Sequence, residues 1–362
     1  MRVLFILPHP IEGPSSRFRV YQYIPYLERN GVECTVRPFV SSANVRELYK
    51  SGGTGRKIAL TLSGLTRRAA DVARATRHDI VYVLREAFAL GPPFVEAALA
   101  RAAGKMIFDF DDAIYTRSLA YDNPIDRLRD WNKPAKMIRR ADTIVAGSSY
   151  LADYAARHAT GRVEVLPTVV DHQIYAPRAR RASGGAVTLG WIGTPRGSHY
   201  VADMMPVFKR LVARHPNLKM VLVGCAPFAA EGLPIEFRDW ALEREPADIA
   251  GFDIGIMPLT DDEETRGKCG FKLIQYMSSG VAAIASPVGA NSDIIEDGKS
   301  GLFASSPAEW EGAIGRLITD PKLRRSLQEA GRQRAIESYS LQHTGPQMLR
   351  ILHQTLETGR DA

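Results

Sequence analysis

Leu189-Gly-Trp-Ile-Gly-Thr-Pro-Arg-Gly-Ser-His199 reads as the end of a strand, a turn of small residues and proline, and the first residues of a helix. A strand that passes into a helix through such a turn opens a βαβ unit. The same alternation recurs outward in both directions. In the second half, strands are expected at Val187 to Ile192, Lys219 to Val223, Ile235 to Arg238, Asp253 to Met257, Ala282 to Ala285 and Gly301 to Phe303, before helix-rich sequence from Ala308. In the first half they are expected at Val3 to Leu7, Glu33 to Arg37, Ile80 to Leu84, Met106 to Phe110, Thr143 to Ala146 and Glu164 to Leu166. The pattern predicts an α/β chain of two doubly wound parallel sheets in series.

Between the two sets, prolines and glycines in Leu166-Pro-Thr-Val-Val-Asp-His-Gln-Ile-Tyr-Ala-Pro177 and in the stretch to Gly185 interrupt regular structure. The expected division is a first domain over 1–170, a hinge over 167–185, a second domain over 186–340, and a C-terminal helix over 341–362 that can pack back on the first domain. Open α/β sheets bind ligands beyond the carboxyl ends of their strands, so two domains facing across a cleft should both contribute loops to the site.

The 362 residues, 45% hydrophobic and 24% charged, exceed what one core usually serves. No apolar run is long enough to span a membrane, and Arg2 to Pro8 lacks the plan of a signal peptide. Three scattered cysteines, Cys34, Cys225 and Cys269, suggest neither a disulfide framework nor a zinc site. The chain reads as cytoplasmic. The net charge of +7 lies wholly in the first half, because residues 1–175 hold 25 Lys and Arg against 18 Asp and Glu, and the rest 22 against 22. Such asymmetry fits either an anionic partner or a solvated basic face.

Four loops carry the candidate chemistry. The first strand runs into Pro8-His-Pro-Ile-Glu-Gly-Pro-Ser-Ser-Arg-Phe-Arg19, where Gly13 bends the chain, Ser15 or Ser16 can cap a helix, and Arg17 and Arg19 favour an anion. The fourth strand ends in Asp109-Phe-Asp-Asp112; clustered carboxylates raise one another's pKa, a cost accepted for acid/base work, a metal or a polyhydroxy ligand. Alternation sends Asp109 and Asp111 to one side, with Asp112 entering the loop. In the 189–199 stretch, Gly193, Thr194 and Arg196 suit a phosphate at a helix start. Finally, in Thr265-Arg-Gly-Lys-Cys-Gly-Phe-Lys-Leu-Ile-Gln-Tyr-Met-Ser-Ser-Gly280, Gly267 and Gly270 open a helix near Phe271 where Lys268 and Lys272 converge on a possible anion, with Gln275 one turn further. A solvated charged face is the competing reading there. No HExxH, GxSxG or GxxxxGK[ST] pattern occurs, which argues against a zinc enzyme of that type, an α/β-hydrolase and a P-loop NTPase.

On these residues the chain resembles the two-domain GT-B glycosyltransferases, specifically those similar to glycosyltransferase family 4. The resemblance rests on Asp79-Ile-Val-Tyr-Val, Leu166-Pro-Thr-Val-Val-Asp171, Tyr175-Ala-Pro177, Leu222-Val-Gly224, Asp253-Ile-Gly-Ile-Met-Pro-Leu259, Ile284-Ala-Ser-Pro-Val-Gly289 and Asp297-Gly-Lys-Ser-Gly-Leu302. It implies two Rossmann-like domains, the second holding a nucleotide sugar and the first an acceptor, and transfer with retention of configuration without a metal or other cofactor. Carried over, Gly193, Thr194, Arg196, Gly224, Lys268, Gly270, Phe271, Lys272 and Gln275 are implied donor contacts. With the residue reading above, Lys268, Lys272, Asp109, Asp111 and Asp112 are the candidate catalytic set, and Gly13, Ser16, Arg17 and Arg19 the first-domain loop across the expected cleft. Trp240, Glu243 and Glu245 fall in a stretch that borders the base or sugar.

Two departures stand out. The family often has two glutamates separated by seven residues, and the matching positions here are Gly267 and Gln275; it also often has a His where Asp111 stands. These suggest a subgroup, with a catalytically silent nucleotide-sugar-binding partner of another glycosyltransferase as the alternative. The expected partners are a nucleotide-sugar donor and a glycan, lipid-linked or small-molecule acceptor. Residues Arg56 to Arg77 read as a helix that could lie on an anionic membrane at the cytoplasmic face, or pack on the sheet with its arginines in water. Nucleic acid is disfavoured, because no RNA-binding motif with exposed aromatics appears.

Overall fold

A computed structural model describes residues 1–49, 52–117, 124–178 and 185–357. The expected linker residues 179–184, including Ser183 and Gly184, lie outside the described residues. All twelve expected strands form, displaced at their ends by at most two residues: β1 (Arg2–Leu7), β2 (Glu33–Pro38), β3 (Ile80–Leu84), β4 (Lys105–Phe110), β5 (Thr143–Ala146), β6 (Arg162–Val165), β7 (Val187–Ile192), β8 (Leu218–Val223), β9 (Ile235–Arg238), β10 (Ile254–Met257), β11 (Ala282–Ala285) and β12 (Leu302–Phe303). They make two six-stranded sheets, ordered β2-β1-β3-β4-β5-β6 and β12-β11-β10-β7-β8-β9, and every pairing is parallel.

The contacts divide the chain into two compact units, Met1–Thr168 with the chain from Thr344 onward, and Val169–His343. Within the first unit, the residues after Thr344 are tied in by hydroxyls: Tyr23 and Thr344 share a hydrogen bond of 2.8 Å, as do Thr143 and Thr355. The Leu341–Glu357 helix also passes Tyr26 at Gly345, where a Cβ would come within 3.3 Å of the ring.

Strands covered by helices on both faces read as continuous apolar runs, and Val3–Leu7 and Ile80–Leu84 are fully buried along their lengths. The Thr54–Ala75 helix packs on the first sheet, but its arginines are neither all in water nor all at a surface. Arg68 is 1% exposed and donates to the carbonyls of Leu7 (2.7 Å), Arg37 (3.0 Å) and Ala87 (2.8 Å) and to Asp71 (3.0 Å). Arg68 is therefore not in water as the packed-helix alternative had it: three carbonyls from neighbouring segments and Asp71 on its own helix offset the cost of burying the guanidinium. No helix among the described residues is long and apolar enough to cross a membrane.

In the second sheet two glycines let aromatic rings lie directly on the central strands. A Cβ on Gly190 would fall 2.0 Å from the Phe252 ring, and one on Gly255 2.5 Å from the Tyr276 ring. Tyr276 is fully buried, accepts from the Ile192 N–H (3.1 Å) and donates to the Ile256 carbonyl (3.3 Å). It therefore fixes the Phe271–Ser278 helix against the ends of β7 and β10. Gly255→Ala should lower the thermal midpoint by the equivalent of about 1–3 kcal/mol, the usual cost of overpacking. Gly312→Ala, inside the Pro307–Thr319 helix where a Cβ meets nothing within 4 Å, should raise it slightly. Parallel melts of the two variants check this; equal midpoints would remove the packing role assigned to Gly255.

Candidate functional site

Ligands sit where neighbouring strands send their connections to opposite sides. In the second unit that point lies between β7 and β10, and in the first between β1 and β3.

At the second unit's switch point the loop after β7 carries Gly193, Thr194 and Arg196. Close packing dictates the glycine, since a Cβ on Gly193 would meet the Trp191 ring at 2.3 Å. Its carbonyl lies against Gly224 at the end of β8, which adopts φ +68 and whose own Cβ would come within 2.3 Å of that oxygen. Thr194 and Arg196 are exposed. The Arg196 guanidinium is 3.7 Å from Glu264 Oε1, and Lys268 Nζ is 3.8 Å from the same oxygen. One carboxylate oxygen thus lies between two of the expected cations. Lys268 also lies 6.0 Å from the Tyr200 ring centroid, and Lys272 lies 5.5 Å over Trp191, within the range of cation–π attraction.

Gly270, at φ +61, caps the Phe271–Ser278 helix from the left-handed region. A side chain there would be strained and would strike Ile294 at 2.2 Å. Lys268, Gly270, Phe271 and Lys272 therefore stand at the start of that helix as the spacing suggested. Gln275 is different. It is 4% exposed, and its amide nitrogen donates to Glu245 Oε1 at 2.9 Å. Glu245, itself 3% exposed, also accepts from the Tyr175 hydroxyl and the Trp240 indole N–H. The Gln275 amide N–H, implied from the resemblance to contact the donor, is instead turned to this buried carboxylate.

The first unit requires further corrections. Gly13, not Ser15 or Ser16, is the N-cap of the Pro14–Arg19 helix, and it makes no side-chain cap. A Cβ on Gly13 would come within 2.5 Å of His9, so the glycine lets the loop fold over that imidazole. Ser16 is fully buried, and Arg17 is 8% exposed with its guanidinium 4.4 Å from the Phe18 ring centroid. Arg19 and Asp109 are 1% and 0% exposed and paired with one another at 2.5 Å. Arg19 also donates to the Leu166 carbonyl, and Tyr82 donates to Asp109 at 2.6 Å. Burial pushes the Asp109 carboxyl up while Arg19 pulls it back. The expected anion-facing Arg19 and catalytic Asp109 instead form a cluster inside the unit, sealed from any ligand.

Asp111 and Asp112 remain at the crevice, their side chains 10% and 38% exposed. What holds them is a residue not singled out from the sequence. Arg85, at the end of β3, has φ +59, and it is the one non-glycine residue with positive φ among the described residues. Its side chain reaches Asp112 (3.0 Å), Asp111 (3.5 Å) and Ser15 (3.3 Å), so it joins the loops after β1, β3 and β4. A bulky residue in the left-handed region costs free energy that surrounding contacts must offset, a condition found at functional sites. The signal available was Arg85-Glu86 directly after the apolar run Ile80-Val-Tyr-Val-Leu84. Among the described residues no three His, Cys, Asp or Glu side chains gather to hold a metal ion.

Burial, reinforced by the Arg85 charge, lowers the pKa of His9 from 6.5 to about 4. His9 is therefore neutral in the folded protein at pH 5, whereas the unfolded chain binds a proton there. Stability from this group is complete above about pH 6.5 and is lost as pH falls towards 4. Between pH 7 and 5 the wild type should lose about 2 kcal/mol more than His9→Asn. Urea melts at the two pH values check it; equal losses would show that His9 titrates normally.

Residues 186–320 match the family described as glycosyl transferases group 1. The D-inositol 3-phosphate glycosyltransferase of Corynebacterium urealyticum is 24% identical over 227 residues, 54% of this chain and 52% of that protein. The sulfoquinovosyl transferase SQD2 of Arabidopsis thaliana is 23% identical over 370 residues, covering 91% of this chain and 69% of that protein. The chain spans about half the length of the inositol phosphate glycosyltransferases it matches. Among solved structures, Anabaena HepE in complex with UDP and glucose superimposes with a TM-score of 0.68 at 16% identity, over 98% of this chain and 100% of that one. A glycosyltransferase from Rickettsia africae gives 0.71 at 14% identity, over 99% of each chain. The resemblance read from the sequence is borne out, and the fold is that of the GT-B glycosyltransferases, two Rossmann-like domains.

Proposed function

We propose that this chain, GT-B in fold and matched in its second unit to group 1 glycosyl transferases, transfers a sugar from a nucleoside-diphosphate donor with retention of configuration. The observation that carries the reading is the cation set at the β7/β10 switch point, where Arg196 and Lys268 flank one oxygen of Glu264 beside Lys272. A carboxylate oxygen between two cations marks where a phosphate oxygen is electrostatically favoured. A diphosphate replaces one negative charge there with two or more, and the start of the Phe271–Ser278 helix adds backbone N–H groups.

As the glycosidic bond breaks, negative charge grows on the leaving diphosphate. Cations already in place stabilise that charge more than they stabilise the ground state, which is what lowers the barrier. In the first unit Asp111, steadied by Arg85, offers acceptor oxygens suited to the hydroxyls of a sugar ligand. Because HepE was solved with UDP and glucose, UDP and UDP-glucose are the first donors to try. The acceptor class, whether glycan, lipid-linked or small molecule, is the open variable of this proposal.

The second reading, a catalytically silent binding partner, draws on Gln275 being turned inward to Glu245. Slow donor hydrolysis without acceptor separates the two, since only a working site cleaves the donor. UDP should raise the melting temperature of the wild type by mass action. Lys268→Ala and Lys272→Ala should each lower donor turnover by about 100-fold or more. Arg85→Ala should lower turnover at least about tenfold while leaving the UDP-induced shift intact, since Arg85 lies in the other unit. Turnover near normal in both lysine variants would rule out their role at the leaving group.

A further inference from the structure

We infer that Glu264 is an exchangeable counter-ion of the donor site: it pairs with Arg196 and Lys268 between turnovers, gives them up to the donor diphosphate, and takes them back as the product diphosphate leaves. This deepens the proposed sugar transfer and rests on it.

The backbone that carries Glu264 is fixed at both ends. Asp262 caps the short Glu263–Arg266 helix by accepting from the Thr265 N–H at 2.9 Å, while the Thr265 hydroxyl accepts from the Asp262 N–H at 3.1 Å, and Thr265 is fully buried. At the other end the Arg266 carbonyl lies against Gly289, where a Cβ would come within 2.3 Å of that oxygen. The mount is therefore held, and movement of the Glu264 carboxylate is left to its side-chain torsions.

The acids around Glu264 are committed, and it is not. Asp261 takes two bonds from the Arg266 guanidinium, at 2.6 and 3.1 Å, and Asp262 is held by the cap and by the Thr260 hydroxyl at 2.6 Å. Among the described residues the Glu264 side chain makes ion pairs and no hydrogen bond: Arg196, from the loop after β7, stands 3.7 Å from Oε1, and Lys268, one turn along, 3.8 Å from the same atom. A surface pair at this helical spacing needs no third member. The second cation, arriving from a different element, makes this oxygen a stand-in for one that a ligand would bring. Glu263, on the same helix, is exposed and pairs with neither cation among the described residues.

Cations gathered at one place repel each other, and a carboxylate beside both offsets that cost in the free chain. The same carboxylate opposes an incoming diphosphate, so it turns aside, and the ion pairs it gives up are subtracted from the donor's affinity. Half-exposed pairs of this length are weak, so a ligand carrying several negative charges overcomes them. After transfer the balance reverses. A carboxylate tethered beside the site competes for the cations at a high effective concentration, and product release is a step that sets turnover in many enzymes.

The test is calorimetric titration of the full chain with UDP and, separately, with inorganic pyrophosphate. Glu264→Gln should bind both about fivefold tighter than wild type, because no ion pairs have to be broken, and the gain should shrink at high salt. A residue that served only the fold would move affinity the other way. Glu263→Gln removes the same charge one residue away and should change affinity by less than about twofold. In donor turnover Glu264→Gln should lower KM and the inhibition constant of UDP about fivefold, and lower kcat about twofold or more as release slows. Affinity of Glu264→Gln equal to or below that of wild type, or an equal gain in Glu263→Gln, overturns the inference. Pyrophosphate keeps that failure apart from failure of the donor reading: tighter pyrophosphate binding by Glu264→Gln, with UDP bound by neither protein, overturns the nucleotide donor alone. A wild type that binds neither anion overturns both.

Discussion

Two buried guanidinium groups hold together the end of the first sheet on which its loops are built. Parallel strands that finish side by side leave carbonyls needing partners in a place where water is excluded. Arg68 collects those of Leu7, Arg37 and Ala87, and Arg19 takes that of Leu166 while pairing with Asp109. Each guanidinium is charged, so each brings a carboxylate with it, Asp71 for Arg68 and Asp109 for Arg19. Breaking such a pair from one side costs about 3–5 kcal/mol, because the other charge is left buried and alone. The loops that carry Ser15, Arg85, Asp111 and Asp112 are therefore mounted on a rigid edge, which is what allows Arg85 to be held in a left-handed conformation.

The second unit reaches the same end by a different route. Its crevice rests on close approach, with Gly190 and Gly255 admitting the Phe252 and Tyr276 rings and the Tyr276 hydroxyl joining β7 to β10. A neutral packed scaffold leaves the charged groups at the surface of the crevice, where the cations Arg196, Lys268 and Lys272 outnumber Glu264. Arg196 and Lys268 lie beside the Glu264 carboxylate, Lys268 also faces the Tyr200 ring, and Lys272 faces the Trp191 ring. Their summed charge exceeds that of the one carboxylate, which leaves a net positive field for an incoming anion.

The fold was legible because it is local. Apolar runs of four to six residues, each followed by a turn and a helical pattern, locate every strand without any knowledge of partners. The anion-binding end of the second unit was legible for the same reason, since Lys268, Gly270 and Lys272 are close in the chain. What failed were inferences about side chains whose partners are distant. Asp109 and Asp111 do leave an extended chain on the same side, as alternation requires, but Arg19 and Tyr82 meet the first, whereas Arg85 meets the second. Nothing in Asp109-Phe-Asp-Asp112 distinguishes the sealed carboxylate from the presented one. Only the charged pair after the apolar run Ile80–Leu84 marked the place of Arg85; its left-handed backbone was not legible, because a backbone angle is not written in a residue type.

Gln275 shows how a departure from the family pattern acquires a physical reason. Its side chain lies 2.9 Å from Glu245 Oε1, a contact that an amide makes as donor and that a carboxylate at the same position would make as a second negative charge. With Glu245 buried and already receiving the Tyr175 hydroxyl and the Trp240 indole, a glutamate at 275 would face it in a low-dielectric interior, and one of the two would have to take up a proton. The amide removes that conflict and supplies a further hydrogen bond to the remaining charge. The buried carboxylate here is Glu245 on the neighbouring helix, and the Phe271–Ser278 helix is left with Lys268 and Lys272 at its start and no buried negative charge of its own. That arrangement strengthens the positive field at the crevice, which is the property a departing diphosphate needs most.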